Sequence, residues 1–337
     1  MIITPGTKHI TVGGAIASDV HGKNHHIDGC FSESLIDFDL MLADGTQKTI
    51  QKSDELFRAT CGGMGLTGII LNVSMRLQKI KSSNINQISI KTSNLLETFN
   101  AFEKYANKSY SVAWFDGFAK GDELGRSIIQ IGDFADDDTL EYKEETISLI
   151  PFKLLSYLLS VWQIKLFNYL YYQLTSTRPI SSKISLNKFF YPLDKFSNWN
   201  ELYGEDGFLQ YQFILPKQKS FEGIKNIFKI IHNSKIYPYL SVLKLYGKAN
   251  ENYLSFPMNG YSLALDFKAS EKTLIMLDKL DKVVNKYGGR VYLTKDARLS
   301  RKNFQNTYPL VENFIKLRKE YNFDKKFNSS QSKRLGI

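Results

Sequence analysis

The sequence predicts an α+β protein with an antiparallel sheet layered against helices. Three observations carry this. Strand-like runs alternate with helical ones through most of the chain after Gln87, and the sets "INQISIKTSN … LLETFNAFEKYAN … YSVAWFDGF … RSIIQIGDF" and "FLQYQFILP … SFEGIKNIFKIIHNS … YLSVLKLYG … YSLALDFKA" run in the same order. The region before Gln87 has a different texture, with two Gly-rich stretches, "PGTKHITVGGAIASDVHGKNHH" and "CGGMGLTGII". At 337 residues the chain is longer than one core usually fills, so more than one structural part is expected.

Taken in order, "SLIDFDLMLADGTQKTIQ" predicts two strands around the Asp44-Gly45 turn. Ser53 is a plausible helix cap, with Asp54 and Glu55 in the first turn, Leu56-Phe57 starting an apolar face and Gly62-Gly63 ending the helix. A strand follows from Ile70. After the two α/β sets come the helix "EKTLIMLDKLDKVVNKYG" and the strand "RVYLTKDA". One segment stands apart. Ile147 to Leu174 is very apolar, but Pro151, Lys153 and Lys165 interrupt it, and its longest uncharged run, Leu154 to Ile164, is too short to span a bilayer. Its lysines and aromatics suit a helix lying on a lipid surface, and a buried core helix or a lid over the site suits the same residues.

The composition is globular, 43% hydrophobic and 13% aromatic. Two cysteines, Cys30 and Cys61, make no disulfide framework and point to a reducing compartment. "MIITPGTKHI" has neither the charged nor the apolar region of a signal peptide. The net charge of +10 suits an anionic ligand or surface, and a chain-wide enrichment in Lys, Asn, Ile, Phe and Tyr explains it equally well. The lysines alternate with acids, and no dense basic run interleaves with aromatics, so nucleic-acid binding is not expected.

Neither Gly-rich stretch has the spacing of a Rossmann fingerprint or a P-loop. Small residues next to His21, Lys23, His25 and His26 suggest close approach to a bound cofactor, since a Gly-Gly backbone offers N–H donors with no Cβ in the way. No carboxylate or cysteine spacing completes a metal site, and none is expected. Gln210 and Gln212 alternate on one strand face, as do Lys244 and Tyr246. Amides on a face otherwise made of Phe and Leu are costly unless they bind something, a substrate or an internal network.

These residues also carry a resemblance. "PGT…TVGGAIASDVHGKNHH" followed by "ELFRATCGGMGLTGII" resembles the FAD-linked oxidases of the vanillyl-alcohol-oxidase type. "HGKNHH", "AWFD", "YPLD", "LKLYG", "LSFP", "LDF", "YLTKDAR" and the closing "SKRLGI" are similar, in that order, to the decaprenylphosphoryl-ribose oxidase family within them. The resemblance implies a two-subdomain FAD-binding part of the PCMH type and an antiparallel-sheet cap over the flavin. Mapped here, Met1–Gln78 and Arg290–Ile337 belong to the FAD part and Lys79–Gly289 to the cap. It also implies that a first piece of the FAD part, with the pyrophosphate loop, is missing, so the chain is expected to be a fragment or half of a split enzyme with a separate N-terminal partner.

By the same resemblance, Gly6, Thr11, Val12, Gly13, Gly14, Ser18, Asp19, Val20, His21, Ile70 and Tyr292 line the FAD, while His25 and His26 are structural. Lys295 is the expected catalytic group with His21, either as a cation beside developing negative charge or as a neutral base. Lys23, Gln210, Gln212, Lys244, Tyr246 and Asp266 would hold substrate, with Lys23 and Lys244 on its phosphate. Mycobacterial members carry a cysteine where this chain has Ala264. The implied activity is oxidation of the 2-hydroxyl of a polyprenyl-phosphoryl β-D-ribose to the 2-keto sugar. A short-chain reductase partner would then complete epimerisation to arabinose for cell-wall or glycolipid precursors, at the inner face of the cytoplasmic membrane. The alternatives are an aldonolactone or other sugar oxidase with a soluble substrate, and an inactive fragment that binds a partner.

Overall fold

In a computed structural model that describes residues 1–142, 161–196, 201 and 203–337, the chain forms two antiparallel sheets sharing one apolar core. The smaller has β1 (Leu35–Met41) between β2 (Gln47–Gln51) and β3 (Ile69–Met75). The larger joins β4 (Asn84–Thr92), β5 (Tyr110–Phe115), β6 (Ser127–Phe134), β7 (Ile180–Ser185), β8 (Phe208–Pro216), β9 (Leu240–Tyr246), β10 (Gly260–Lys268) and β11 (Arg290–Val291) in the order β11-β8-β10-β9-β5-β6-β4-β7.

The two α/β sets explain that order. In each, a strand leads into a helix and then a hairpin, giving β4-β6-β5 on one side and β9-β10-β8 on the other, and the halves meet where Ala113 pairs with Leu243 and Trp114 with Val242. One sheet face is closed by helices. Lys217–Ser234 buries Ile224, Ile227, Phe228 and Ile231, and Glu271–Lys286 buries Met276, Leu277, Leu280 and Val284, at the spacing of a single helical stripe. They cover Phe213, Leu215, Leu243, Leu263 and Leu265, each fully buried Leu, Ile or Phe contributing about 1.5–3 kcal/mol. The alternate residues of the same strands face the other way, and there the candidate site lies.

Two expectations are corrected, and some elements have no counterpart in the sequence reading. Residues 12–17 form a short helix, because Thr11 Oγ1 accepts the Gly14 N–H and caps it. The helix Glu55–Thr60 has Asp54 at its cap position in place of Ser53, with the Asp54 carboxylate accepting the Gln51 N–H. "RVYLTKDA" is a strand only at Arg290–Val291. Tyr292 N–H still donates to the Gln212 carbonyl, then Leu293–Lys295 turns as a 3-10 helix and Asp296 accepts from Arg298 and Leu299 N–H. Strand β7 and the helix Leu186–Phe190 have no counterpart in the sequence reading.

Of the apolar segment 147–174, residues 161–174 are described and the rest lies outside the described residues. Val161–Leu174 is a helix that buries only Ile164, Asn168 and Tyr172. Asn168 donates to Asp116, which is paired with Arg126 in a buried salt bridge, and Tyr172 Oη donates to the Thr92 carbonyl. Trp162, Phe167, Tyr169, Leu170 and Leu174 point to solvent, with Trp162 67% and Phe167 62% exposed. This part of the segment is therefore not a core helix: Ile164, Asn168 and Tyr172 face the protein and most of its aromatics face out.

Candidate active site

The site is assembled where the His21 segment meets the open face of the large sheet. Both Gly-rich stretches converge there. Gly62 N–H donates to the Ile16 carbonyl and Met64 N–H to the Ala17 carbonyl. Gly62 adopts a left-handed φ of +79°, and a Cβ there would press on the Ser255 backbone and Asp19. Gly6 and Gly13 have nothing within 4 Å of where a Cβ would stand, so their backbones are open to a ligand.

His21 is the centre. Its ring lies 4.9 Å from that of Tyr246, 5.0 Å from Tyr292 and 5.6 Å from Phe256. Gln212 Nε2 sits 3.1 Å from His21 Nε2, and also within hydrogen-bond reach of Tyr246 Oη and Ser262 Oγ. An amide N–H donated to Nε2 places the imidazole proton on Nδ1, which is buried and has no partner among the described residues. Burial, then Lys244 and to a lesser degree His25 and Lys295, hold the His21 pKa well below the usual imidazole range, so the ring is neutral. Tyr292 Oη donates to the Ser18 carbonyl, tying the 290s to the same segment.

Cations gather around this aromatic wall. Lys244 lies in the register row next to Gln212, opposite Ser262, and its ammonium has no hydrogen-bond partner among the described residues. Burial and then Lys295 lower its pKa to about 8. Lys295 opens to solvent on one side, which tempers the lowering of its pKa by burial; Asp266 opposes that lowering. Asp266 accepts from Gln210 Nε2 at 2.6 Å, and burial raises its pKa to about 6 against the pull of Gln210, Lys295 and Tyr203. Lys23 is buried, with its ammonium donating to the Phe189 carbonyl and lying 4.5 Å from the Phe189 ring. Burial and then Lys244 lower its pKa to about 7.

The structure thus brings Ser18, His21, Gln212, Lys244, Tyr246 and Tyr292 together, with Gln210, Asp266 and Lys295 beside them. Lys23 joins the cluster electrostatically, but its ammonium is directed at Phe189. Asp19 is spent internally: its carboxylate accepts from Ser32 N–H, Asn250, Asn252 and Ser255, and its N–H donates to the Ile16 carbonyl, so only its backbone carbonyl is left for a ligand. Thr11, Val12, Gly13 and Gly14 sit on the exposed first turn of their helix, Val20 N–H is bonded to the Ala15 carbonyl, and Ile70 packs its side chain on the core from edge strand β3. No hydrogen bond joins Thr11, Val12 or Ile70 to His21 among the described residues. His25 and His26 have structural partners, Gly247 N–H with the Cys30 thiol and the Lys108 carbonyl respectively. Phe256, Ser262 and Tyr203 are site residues the sequence reading missed; Phe256 alone had a signal, in the "LSFP" motif.

The site thus sets a neutral buried histidine in an aromatic wall with a group of lysines and one buried carboxyl beside it. The comparisons supply the class. No protein-family model matches the chain. It is 34% identical over 350 residues to the decaprenylphosphoryl-beta-D-ribose oxidase of Mycolicibacterium smegmatis, an alignment covering 99% of this chain and 75% of that enzyme. It is 27% identical over 355 residues to an uncharacterized protein in the mprA 5′ region of Streptomyces coelicolor, covering 99% and 95%. The chain belongs to the decaprenylphosphoryl-β-D-ribose oxidase family of FAD-linked oxidases, and it is an oxidoreductase.

Proposed function

We propose that this protein uses FAD to oxidise the 2-hydroxyl of a polyprenyl-phosphoryl β-D-ribose to the 2-keto sugar. The observation that carries the reading is the placement of Lys244, with its unpartnered ammonium, one register row from Gln212 and the neutral His21. A sugar beside Gln212 would then have its phosphate at a cation. The residues suit a flavin: the orphaned His21 Nδ1–H offers a donor, the Gly13 backbone is uncovered, and His21 and Tyr292 present rings to a planar group. Gly6, Thr11 to Gly14, Ser18 to His21, Ile70 and Tyr292 would hold it. When bound, FAD supplies the two-electron acceptor for the hydride of the sugar C2–H.

The chain's own residues do the rest. Lys295 faces the reacting hydroxyl, where its lowered pKa lets it take the hydroxyl proton or, protonated, stabilise the alkoxide. Asp266, held by Gln210 and Tyr203, tunes Lys295. Lys244 neutralises the phosphate, and Lys23 adds positive potential from behind Phe189. The product is a 2-keto sugar, which a short-chain reductase would reduce to the arabino epimer.

The outward aromatics of the helix Val161–Leu174 support work at a lipid surface. From Val161 to Lys188 the chain carries Lys165, Arg178, Lys183 and Lys188 and no acidic residue, which suits anionic headgroups at the inner face of the membrane. Among the described residues no helix is long and apolar enough to cross a bilayer. The test is a substrate panel with the FAD-loaded protein: prenyl-phosphoryl ribose should be oxidised to a 2-keto product identified by mass, while aldonolactones and free ribose are not. Turnover of an aldonolactone alone would replace this reading with that of a soluble sugar oxidase.

A further inference from the structure

The motif "SKRLGI" takes no part in the cluster around His21, yet the helix that carries it, Ser330–Leu335, holds the turn on which Lys295 stands. Lys295 is the last residue of a single 3-10 turn, Leu293–Lys295, and its ammonium is held by no hydrogen bond among the described residues. One such turn is not stable by itself, so the lysine stands where the partners of the turn put it. Before the turn, Tyr292 N–H donates to the Gln212 carbonyl and Tyr308 Oη to the Val291 carbonyl. On the turn, Gln331 Nε2 donates to the Leu293 carbonyl at 2.7 Å. After it comes the Asp296 carboxylate, only 2% exposed. One of its oxygens accepts the Arg298 and Leu299 N–H groups, and the other accepts from Arg334 Nη2 at 2.7 Å and Gln331 Nε2 at 3.3 Å. The second Arg334 nitrogen donates to the Leu299 carbonyl.

Gln331 and Arg334 are three residues apart and share one face of their helix. That helix is itself fixed: Ser329 and Ser332 close a capping box, Leu335 is fully buried, and Gly336 ends it in the left-handed region with φ +76°. The grip also settles an electrostatic competition. Asp296 follows Lys295 directly, and a free carboxylate there would pair with the ammonium; Arg334 occupies it instead. The titratable and charged groups around Lys295 are Asp266 from β10, Lys244 from β9, His21, and Asp296 with Arg298 in its own loop. Of the two carboxylates, Asp266 is the one that acts on the charge of the lysine. We infer that Gln331 and Arg334 are positioning residues for Lys295: they pin both ends of its turn and keep the Asp296 carboxylate off its ammonium, so that the lysine stays available to the reacting hydroxyl. The inference rests on the role given to Lys295 in the proposed oxidation and adds what places it there.

Labelling of Lys295 measures this without turnover. The lysine opens to solvent, so its acetylation by acetic anhydride across a pH series, read by mass spectrometry in the FAD-loaded protein without substrate, gives the pH at which its ammonium loses its proton. Arg334→Gln releases Asp296, and this midpoint should rise by about one pH unit or more, as a new opposite charge nearby dictates. Adding Asp296→Asn removes the released carboxylate and should return the midpoint to the wild-type value. The pH dependence of anaerobic flavin bleaching by prenyl-phosphoryl ribose should move with the labelling midpoint in each variant, which a mere loss of stability would not produce. Gln331→Leu leaves the Arg334 pair in place and covers the case in which Arg334→Gln does not fold: bleaching at saturating substrate should slow about tenfold with KM little changed, because the lysine is misplaced and the phosphate site is not. A wild-type midpoint in Arg334→Gln, a shift that persists in the double variant, or wild-type bleaching by Gln331→Leu overturns the inference. If the midpoints move as expected but the wild-type flavin stays oxidised with prenyl-phosphoryl ribose, the positioning role stands and the oxidation reading falls. If the wild type bleaches and no midpoint moves, the reverse is true.

Discussion

Replacing Asp19 by alanine should loosen the join between the His21 segment and the loop that follows β9. Asp19 is fully buried, and its carboxylate accepts four hydrogen bonds: Ser32 N–H at 3.1 Å, Asn250 at 2.7 Å, Asn252 at 2.8 Å and Ser255 Oγ at 2.7 Å. Hydrogen bonds to a charged acceptor contribute about 1.5–3 kcal/mol each, and the four share one group, so they do not simply add. Alanine also has to adopt the left-handed backbone of φ +39°, at a cost of about 1–2 kcal/mol. A loss of about 4–6 kcal/mol follows, a large part of the 5–15 kcal/mol that holds a typical domain together. Urea unfolding followed by tryptophan emission should show a much lower midpoint for Asp19→Ala, with Asp19→Asn in between because asparagine tolerates the left-handed backbone. Limited proteolysis should open the 250–255 loop first. A midpoint for Asp19→Ala within error of the wild type would refute the role of Asp19 as the clamp.

Further outcomes follow from the buried charges. Lys23 has a folded pKa of about 7 against 10.5 in the open chain, so between those values the unfolded state holds a proton that the folded state has released; stability should rise with pH across that window, and Lys23→Met should flatten the rise in unfolding midpoints. Asp266 shifts the other way, to about 6 from 3.8, so stability falls as pH climbs from about 4 to 6, and Asp266→Asn should remove that fall. Phosphate affinity at Lys244 should drop as pH passes about 8, where its ammonium loses its proton, which calorimetry at several pH values would show. Breaking the buried pair with Asp116→Ala should cost about 3–5 kcal/mol and free the helix Val161–Leu174 to proteases; a variant as resistant as the wild type would mean the helix is held elsewhere.

Much of this architecture is legible in the residues. The strands around Gln210, Lys244 and Asp266 alternate cleanly because one face is sealed by helices and the other lines a site, and that contrast writes itself into the sequence with a period of two. The helices opposite them show their stripe for the same reason. The Val12–Ala17 helix is hidden because two glycines disfavour helix locally, and a single threonine cap with tertiary packing overrides them. The 3-10 turn at Lys295 is set by Asp296 and by the Gln212 carbonyl, partners close in space and distant or unremarked in sequence. Ser262 comes to Gln212 only through sheet register, which no local pattern encodes, and Phe256 comes to His21 through the return of a loop marked only by the "LSFP" motif. Asn168 faces inward with Ile164 and Tyr172, but Gln163 and Gln173 in the same helix are not buried, so its polar residues alone do not mark the inward side.

The most direct measurement is anaerobic reduction of the FAD-loaded protein by decaprenylphosphoryl-β-D-ribose, followed as loss of the visible flavin absorbance. The wild type should bleach, with the 2-keto sugar as product. Lys295→Ala should keep its flavin spectrum and fail to bleach, while Lys244→Met should bleach only at much higher substrate concentration. A wild-type flavin that stays oxidised with saturating substrate, or a Lys295→Ala variant that bleaches at the wild-type rate, would contradict the account.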